Sequence, residues 1–432
     1  MKFQVQPSGP LLGEIEVPGD KSISHRAAIL GAIAQGQTRI RGFLEGEDCL
    51  RTLTILSALG VEIEKLGPGH YVITGRGPAG LTEPENVLDV GNSGTTIRLL
   101  SGLLAGQRFM SILTGDDSIR KRPMERIIIP LTEMGACIRG RNNNRNAPLY
   151  IQGRQLYGVT YHSPVASAQV KSAILLAGLN AMGTTTVIEP LPSRDHTERM
   201  LMAFGACITA KGRTVILEPG QPLKGQEISI PGDISSAAFF IVAALIIPGS
   251  ELLIKNVCVN PTRTGILKAL QAMGAAIQIL HEREEAGEPV ADLMVKYSPL
   301  QGITVEPHWI PSLIDEIPIL AVAASLARGT TIIRGAGELR LKETDRIKAI
   351  TRELSRFGVQ VEEVSDGMII TGTEEIIAAD CNSYGDHRIA MAMTVMALRA
   401  AGTSTINDAA AVNVSFPNFF ETLQTISGQI HK

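Results

Sequence analysis

The sequence predicts an α/β protein of two domains, an inverse α/β barrel of six βαβαββ-type repeats with buried helices and outer sheets. Similar stretches of about 70 residues recur six times along the chain. The first helix of each stretch is apolar nearly all round, which requires burial. At 432 residues the chain also exceeds the size at which one core keeps growing, so we expect two domains of three repeats each.

Each repeat opens with a polar turn and continues into an apolar helix, a short strand, a charged stretch and a second, amphipathic helix. The opening turns begin at Gly19, Gly91, Ser163, Gly232, Ser312 and Gly385. Five of the second helices are expected to end at a glycine, namely Gly60, Gly135, Gly205, Gly274 and Gly358.

Two similar tripeptides, Pro18-Gly19-Asp20 and Pro231-Gly232-Asp233, predict the domain boundaries. Hinges near 18–21 and 230–234 would place residues 20–232, with repeats one to three, in one lobe. The other lobe would hold residues 1–19 and 233–432, with repeats four to six. Two lobes joined by paired hinges predict closure on a ligand held between them.

Composition narrows the classes of function. A net charge of −3 argues against general nucleic-acid binding. The first residues lack a signal-peptide pattern and the longest apolar run, residues 237–247, is too short to span a bilayer, so we expect a cytoplasmic protein without a membrane partner. Five cysteines without CxxC spacing predict buried, reduced thiols, and eight unclustered histidines predict no metal site.

Polar residues gather where the predicted helices begin, and free backbone N–H groups there favour anions. The second-helix entrances carry Arg122, Arg194, Arg263 and Arg346. The first-helix entrances carry Lys21, Ser22, Arg26, Gly94, Ser167, Ala168, Gln169 and Arg388. Helix capping by Ser22 and solvated surface arginines are the plainer interpretations. Because arginine matches phosphate and carboxylate bidentately, the recurrence favours small, multiply anionic ligands.

Two acidic segments stand among these cations. Asp315 leads into an apolar helix and Glu343 lies between Lys342 and Arg346. A plain N-cap for Asp315 and a surface salt-bridge network for Glu343 remain alternatives. In an anion-binding cleft, however, carboxylic acids also serve as proton carriers, and Lys21 is a further candidate for this role.

Five motifs carry a resemblance to a known family. They are residues 19–26 (GDKSISHR), 91–95 (GNSGT), 122–123 (RP), 341–346 (LKETDR) and 386–391 (DHRIAM). In this order and spacing the chain resembles the 5-enolpyruvylshikimate-3-phosphate (EPSP) synthase family, and the similarity spans all six repeats.

The resemblance implies transfer of the enolpyruvyl (carboxyvinyl) group of phosphoenolpyruvate to the 5-hydroxyl of shikimate 3-phosphate. Phosphate is released by way of a tetrahedral intermediate, in the shikimate pathway that leads to chorismate and aromatic amino acids. The family needs no metal or organic cofactor. We therefore expect two small-molecule substrates, no nucleic-acid partner and a monomer.

The same resemblance implies roles for individual residues. Asp315 is the implied base near the 5-hydroxyl, Glu343 the implied acid for the methylene carbon, and Lys21 a third catalytic group. Implied contacts to shikimate 3-phosphate are Lys21, Ser22, Arg26, Ser167, Ala168, Gln169, Arg194, Asp315 and Lys342. Implied contacts to phosphoenolpyruvate are Lys21, Gly94, Arg122, Gln169, Arg346 and Arg388.

Four phrases mark a subclass of the family that is often less sensitive to the herbicide glyphosate. They are GDKS at 19, SAQVK at 167, RDHTE at 194 and NPTR at 260. Tolerant members often carry alanine where this chain has Gly94, so the two signals conflict. Val414 replaces a lysine and Glu338 an asparagine found in many relatives, and those two substrate contacts are not carried over.

Two alternatives are open at the level of sequence. The sister enolpyruvyl transferase that acts on UDP-N-acetylglucosamine shares the repeat fold but typically uses a loop cysteine, and residues 114–122 contain none. The chain could also be a non-catalytic repeat scaffold whose arginines merely face solvent.

Overall fold

A computed structural model describes residues 2–427 of the chain. The mixed α/β architecture confirms the predicted fold class. The chain forms two compact units. The central unit comprises Gly19–Ile230 and Glu284–Glu288, and the terminal unit comprises the other described residues, 2–18, 231–283 and 289–427.

The tip of one hairpin departs from the predicted division. Sequence reasoning placed all of residues 233–432 in one lobe, whereas Glu284–Glu288 group with the central unit. This segment joins the strands Ala276–Glu285 and Glu288–Lys296, which pair with the other strands of a terminal-unit sheet. A run of charged residues surrounds the tip in the sequence, but it does not indicate which unit the tip joins.

The apolar first helices are buried, as predicted. Every residue of Ile234–Ile246 is buried, and this helix packs with two others of the terminal unit, Ile317–Ser325 and His387–Ala397. In the central unit the corresponding helices are Lys21–Ile33, Gly94–Ala105 and Ala168–Gly178. The more amphipathic second helices are Glu47–Ala58, Glu125–Glu133, His196–Ala203, Gly265–Ala272, Arg346–Arg356 and Phe419–Ser427. Shorter helical turns occur at Ile119–Lys121, Arg141–Asn144, Pro307–Trp309, Ile310–Leu313, Ile314–Glu316, Gly337–Leu341 and Ala409–Val414.

The second repeat illustrates the βαβαββ pattern. Its opening strand Leu88–Asp89 pairs in parallel with Met110–Thr114 after the first helix. That strand pairs antiparallel with Asn146–Gln152, which in turn pairs antiparallel with Cys137–Gly140 after the second helix. The two remaining four-stranded sheets of the central unit run, in spatial order, Glu227–Ser229, Gln35–Arg41, His70–Arg76, Glu62–Gly67 and Thr160–His162, Thr185–Ile188, Thr214–Glu218, Cys207–Lys211. A small sheet pairs Leu156–Tyr157 with Ala181–Met182.

Strands near the N-terminus complete sheets of the terminal unit. Leu12–Glu16 pairs in parallel with Glu251–Cys258, and Lys2–Val5 pairs antiparallel with Ser404–Asn407. Conversely, Glu227–Ser229 supplies the opening strand of the first repeat in the central unit. The sheets of the terminal unit are, in spatial order, Ala276–Glu285, Glu288–Lys296, Glu251–Cys258, Leu12–Glu16; Thr330–Ile333, Gly367–Thr371, Gln360–Val364; and Lys2–Val5, Ser404–Asn407, Asp380–Asn382.

The recurring glycine after the second helix has a backbone cause. All five of the repeated glycines have φ between +83° and +93°. At Gly60, the amide of the next residue, Val61, donates to the carbonyl of Leu56, which is the helix-ending pattern that needs a left-handed residue. Equivalent bonds join Ala136 to Leu131, Ala206 to Leu201, Ala275 to Leu270 and Val359 to Leu354.

The cysteine prediction is partly wrong. All five thiols are free, and three are buried, but Cys137 is half-buried and Cys207 exposed. Both begin a strand at the edge of its sheet, and in each strand the next residue, an isoleucine, is the buried one. Alternation along the strand therefore turns the cysteine outward. No helix within residues 2–427 has both the length and the apolar composition that a membrane span requires.

A close helix contact in the central unit generates a stability prediction. A Cβ at Gly102 would lie 2.0 Å from the backbone oxygen of Ala173 on the neighbouring core helix, so the helices must separate. We expect Gly102→Ala to lower the free energy of unfolding by at least about 2 kcal/mol, measured by urea denaturation. Gly67→Ala, where no atom lies within 4 Å of the added carbon, is the matched control. Equal stability of the two variants would contradict this packing.

Candidate functional site

The first core helix begins beside two residues of the GDKS phrase. The Asp20 carboxylate accepts a hydrogen bond from the Ile23 amide at 2.9 Å, so Asp20 caps the helix Lys21–Ile33. The capping interpretation of Ser22 is therefore wrong. Ser22 lies half-buried in the first helical turn.

Lys21 is held by a carboxylate from the second helix of its repeat. Its Nζ lies 3.1 Å from Oδ2 of Asp48, near the start of Glu47–Ala58. Both side chains remain slightly exposed, at 18% and 11%. The ammonium group is thus fixed at the entrance of a buried helix while remaining reachable from solvent.

Arg26 is buried one turn further along the same helix. Its Nε donates to Thr197 Oγ1 at 2.6 Å, its two terminal nitrogens to Ser172 Oγ at 2.8 Å and to the Ser22 carbonyl at 2.9 Å. Burial, with a contribution from the charge of Arg194, lowers the pKa of Arg26 to about 10. The guanidinium remains charged at neutral pH, and its hydrogen-bond partners are neutral.

Gly94 lies directly against a guanidinium. It is the first residue of Gly94–Ala105, after the N-cap Ser93, and a Cβ there would lie 2.6 Å from Arg122 Nη1. Arg122 in turn donates to Asn92 Oδ1 at 3.2 Å. The missing side chain thus makes room for the arginine at the helix N-terminus.

Gln169 belongs to the same cluster through a residue that the implied site residues did not include. Arg98 donates to Gln169 Oε1, and Gln169 Nε2 donates to Thr95 Oγ1 at 3.1 Å. A Cβ at Gly94 would also lie 3.2 Å from Arg98 Nη1. Arg98 therefore links the second and third core helices of the central unit beside Gly94.

Ser167 and Ala168 form the entrance of the third core helix. Ser167 is the N-cap of Ala168–Gly178, and its hydroxyl accepts from the Val170 amide at 3.5 Å. Arg194 is half-buried just before the second helix of this repeat, His196–Ala203. The structure thus places all three residues at helix entrances of the central unit.

In the terminal unit, Asp315 is bound by two cations. Its Oδ1 lies 3.1 Å from Lys342 Nζ and 3.4 Å from Arg346 Nη1. The following helix begins at Ile317 with Glu316 as its N-cap residue. The N-cap interpretation of Asp315 is therefore wrong.

Arg346 is the centre of this cluster. Its Nε lies 2.7 Å from Asp386 Oδ2 and its Nη2 lies 2.6 Å from Glu343 Oε2. Burial alone would lower the pKa of Arg346, but the carboxylates of Asp386, Glu343 and Asp315 outweigh it and hold the pKa above its ordinary value. Because Arg346 is only 1% exposed, the surface salt-bridge interpretation of Glu343 is also wrong.

Arg388 contacts the segment that carries Asp315 and Glu316. Its Nη1 donates to the Asp315 carbonyl at 2.9 Å and lies 3.7 Å from Glu316 Oε1. Arg263, which sequence reasoning expected at a ligand cleft, is only 1% exposed and binds Asp233 at 3.0 Å. Arg263 therefore contacts the protein's own carboxylates.

Each unit gathers its own share of the predicted residues. Across residues 2–427, histidine, cysteine and acidic side chains form no group of three or more that could hold a metal ion. The predicted residues of the central unit are Lys21, Ser22, Arg26, Gly94, Arg122, Ser167, Ala168, Gln169 and Arg194. Those of the terminal unit are Asp315, Lys342, Glu343, Arg346 and Arg388.

The subclass phrases include residues that support the site without facing it. Lys171 of SAQVK is buried 2.7 Å from both Glu189 and Glu198, the latter from RDHTE. The hydroxyl oxygens of Thr197, from RDHTE, and of Ser172 accept hydrogen bonds from Arg26, and the two hydroxyls also bond to each other. In the sequence, the only indication of these supporting residues was that polar residues recur beside the apolar helices.

Comparisons with known proteins agree with this arrangement. Residues 5–423 match the family model described as EPSP synthase (3-phosphoshikimate 1-carboxyvinyltransferase). The chain belongs to the EPSP synthase family. It is therefore an enolpyruvyl transferase, which confirms the resemblance and the enzyme prediction, and the scaffold and sister-enzyme alternatives are not favoured.

Individual relatives match over almost their whole length. A 3-phosphoshikimate 1-carboxyvinyltransferase of Desulforamulus reducens is 54% identical over 426 residues, covering 99% of both chains. One of Desulfitobacterium hafniense is 55% identical over 425 residues, covering 98% of both. A solved EPSP synthase of Acinetobacter baumannii has 44% identity and a TM-score of 0.90, with all of both chains covered.

A buried histidine in the central unit predicts a pH effect on stability. His25 Nδ1 lies 2.7 Å from Thr52 Oγ1, and burial together with the charges of Lys21 and Arg26 lowers the pKa of His25 well below 6.5. The unfolded chain therefore takes up the proton first as pH falls, so this stability is full above about pH 7 and is lost below about 6.5.

Between pH 7.5 and 5.5 we expect the central unit to lose up to about 1.4 kcal/mol more in the wild type than in His25→Gln. The measurement is hydrogen exchange of amides in Lys21–Ile33, corrected for intrinsic exchange rates. His70→Gln, at an exposed histidine, is the control and should keep the wild-type pH dependence. A wild-type response in His25→Gln would refute the neutral buried state.

Proposed function

We propose that the protein transfers the enolpyruvyl group of phosphoenolpyruvate to the 5-hydroxyl of shikimate 3-phosphate and releases phosphate. The observation that carries the proposal is the pair of carboxylates, Asp315 and Glu343, held by one buried guanidinium, that of Arg346. The reaction needs one proton removed from oxygen and one added to carbon, and two separate carboxylates are suited to these two tasks.

Shikimate 3-phosphate is proposed to bind through its phosphate and its ring hydroxyls. Arg26, a buried cation with neutral hydrogen-bond partners, and the nearby Arg194 attract a phosphate. The entrance of the third core helix adds backbone N–H groups beyond its uncharged cap, Ser167. The full proposed set is Lys21, Ser22, Arg26, Ser167, Ala168, Gln169, Arg194, Asp315 and Lys342.

Phosphoenolpyruvate is proposed to bind through its phosphate and carboxylate. Gly94 begins a helix whose N-cap, Ser93, is uncharged, and Gly94 lies against Arg122. The positive end of the helix dipole and a guanidinium therefore meet at one point. The full proposed set is Lys21, Gly94, Arg122, Gln169, Arg346 and Arg388.

In the proposed mechanism, Asp315 accepts the proton of the 5-hydroxyl while the oxygen of that hydroxyl forms a bond to C2 of phosphoenolpyruvate. Glu343 gives a proton to C3, and the tetrahedral intermediate forms. Loss of phosphate from C2 and of a proton from C3 then restores the double bond. Lys21 is proposed to assist these transfers from the phosphate side.

The ion pairs of the terminal unit support a catalytic role for Glu343. The residues linked to Arg346 and Arg388 include the cations Arg263 and Lys342 and the carboxylates Asp233, Asp315, Glu316, Glu343 and Asp386. Within this network the bond to Arg346 fixes the position of Glu343, and a fixed position is what a proton donor to carbon requires.

We further propose that the reaction uses no metal or organic cofactor and takes place in the cytoplasm on a monomer. The reaction as written is a sequence of acid, base and electrostatic steps, so its atoms balance without a redox or Lewis-acid partner.

The function is tested by measuring phosphate release from phosphoenolpyruvate with two acceptors. We expect turnover with shikimate 3-phosphate and none with UDP-N-acetylglucosamine. Mass spectrometry of the product should show the enolpyruvyl ether. Turnover with the nucleotide sugar alone would transfer the assignment to the sister enzyme, and release without an acceptor would indicate a phosphatase.

The proton-donor role is tested by Glu343→Gln. The amide keeps the shape and a hydrogen-bond acceptor for Arg346 but cannot donate the proton, so we expect at least ~100-fold slower turnover with both substrates still bound. Glu363→Gln, which alters an Arg-paired glutamate on the surface of the same unit, is the matched control and should keep the wild-type rate. An unchanged rate in Glu343→Gln would remove this residue from the mechanism.

A further inference from the structure

Glu316 is a buried carboxylate that the proposed mechanism does not use. It follows Asp315 directly and is only 1% exposed. Its Oε1 accepts a hydrogen bond from Ser235 and lies 3.7 Å from Arg388 Nη1 and 3.9 Å from Arg263 Nη2. A buried carboxylate is costly unless cations compensate it, and here two guanidinium groups approach the same oxygen.

Arg263 is held in place by two further side chains. Its Nη2 donates to Asp233 Oδ1 at 3.0 Å and to Ser235 Oγ at 2.7 Å. The turn that presents it is closed by Asn260, whose side chain accepts from the Thr262 amide at 2.9 Å. The NPTR phrase therefore builds a rigid, buried support for Glu316.

Arg388 is the second guanidinium that approaches Glu316. Its Nη1 reaches the Asp315 carbonyl at 2.9 Å, and the charge of Glu316 lies on the same side. Without that charge, Arg388 and Arg263 would face one another across a neutral side chain, and repulsion would move Arg388, which has a long flexible stem, away from the Asp315 carbonyl.

We propose that Glu316, supported by Arg263 and Ser235, is a positioning residue that holds Arg388 in place for phosphoenolpyruvate. The inference rests on the proposed function, in which Arg388 contacts that substrate. In this proposal, the NPTR phrase supports a substrate-binding arginine and does not itself contact a ligand.

The test separates the two substrates by steady-state kinetics. Glu316→Gln keeps the shape and an acceptor for Ser235 but removes the charge, so we expect the KM for phosphoenolpyruvate to rise roughly 10-fold while that for shikimate 3-phosphate changes less than about 2-fold. An unchanged phosphoenolpyruvate KM, or an equal rise for both substrates, would overturn the proposal.

A milder pair of variants decides the matter if Glu316→Gln does not fold. Ser235→Ala removes one hydrogen bond to Glu316, and Ser250→Ala removes one from a buried serine that accepts from the Leu11 amide in the same unit. We expect a selective rise of about 3-fold in the phosphoenolpyruvate KM for Ser235→Ala alone. The same KM in both variants would overturn the proposal.

A double-mutant cycle with Arg388→Lys tests whether Glu316 acts through Arg388. We expect Glu316→Gln to have little further effect on the phosphoenolpyruvate KM in that background, whereas additive effects would contradict the proposed route. Wild-type turnover with shikimate 3-phosphate is measured first. Its absence would count against the proposed function, whereas failure of the KM pattern in an active enzyme would count against Glu316 alone.

Discussion

Burial of guanidinium groups is the constraint on which the rest of this structure depends. Arg26, Arg98, Arg122, Arg263 and Arg346 are all at least nine-tenths buried at or near helix entrances. A charge withdrawn from water must find partners within the protein or a ligand. An ordinary apolar core does not need polar residues. Their presence around these helix entrances is explained by the need of the buried charges for partners.

Five of the six repeats meet this constraint with the same local devices at each helix type. A polar side chain caps five of the apolar helices, and a left-handed glycine ends five of the amphipathic helices. The caps differ in charge, however: Asp20, Asp233 and Asp386 are carboxylates, whereas Ser93 and Ser167 are neutral. Among these five helices, the neutral caps leave the positive helix end uncompensated, and the helices concerned begin at Gly94 and Ala168.

Much of the fold followed from the sequence because it is encoded locally. Apolar helices and helix-ending glycines have one-dimensional signatures, and the structure reproduces both. Exact caps and partners distant in sequence were harder to predict. Sequence reasoning offered Ser22 as the cap where the structure has Asp20, and Arg263 resembles Arg122 until Asp233 and Glu316 enclose it. The roles of individual substrate contacts remain predictions, because they depend on ligands.

Arg26 and Arg346 show how two buried arginines serve different ends. Neutral hydroxyl and carbonyl groups accept the hydrogen bonds of Arg26, and burial lowers its pKa to about 10 although the charges of Glu198 and Asp20 oppose this shift. Carboxylates surround Arg346 and raise its pKa, so its charge is already matched. The first arrangement gains most from binding a phosphate, whereas the second gains most from keeping two carboxylates in place. In the proposed function, these different partners suit Arg26 to anion binding and Arg346 to holding the two carboxylates for proton transfer.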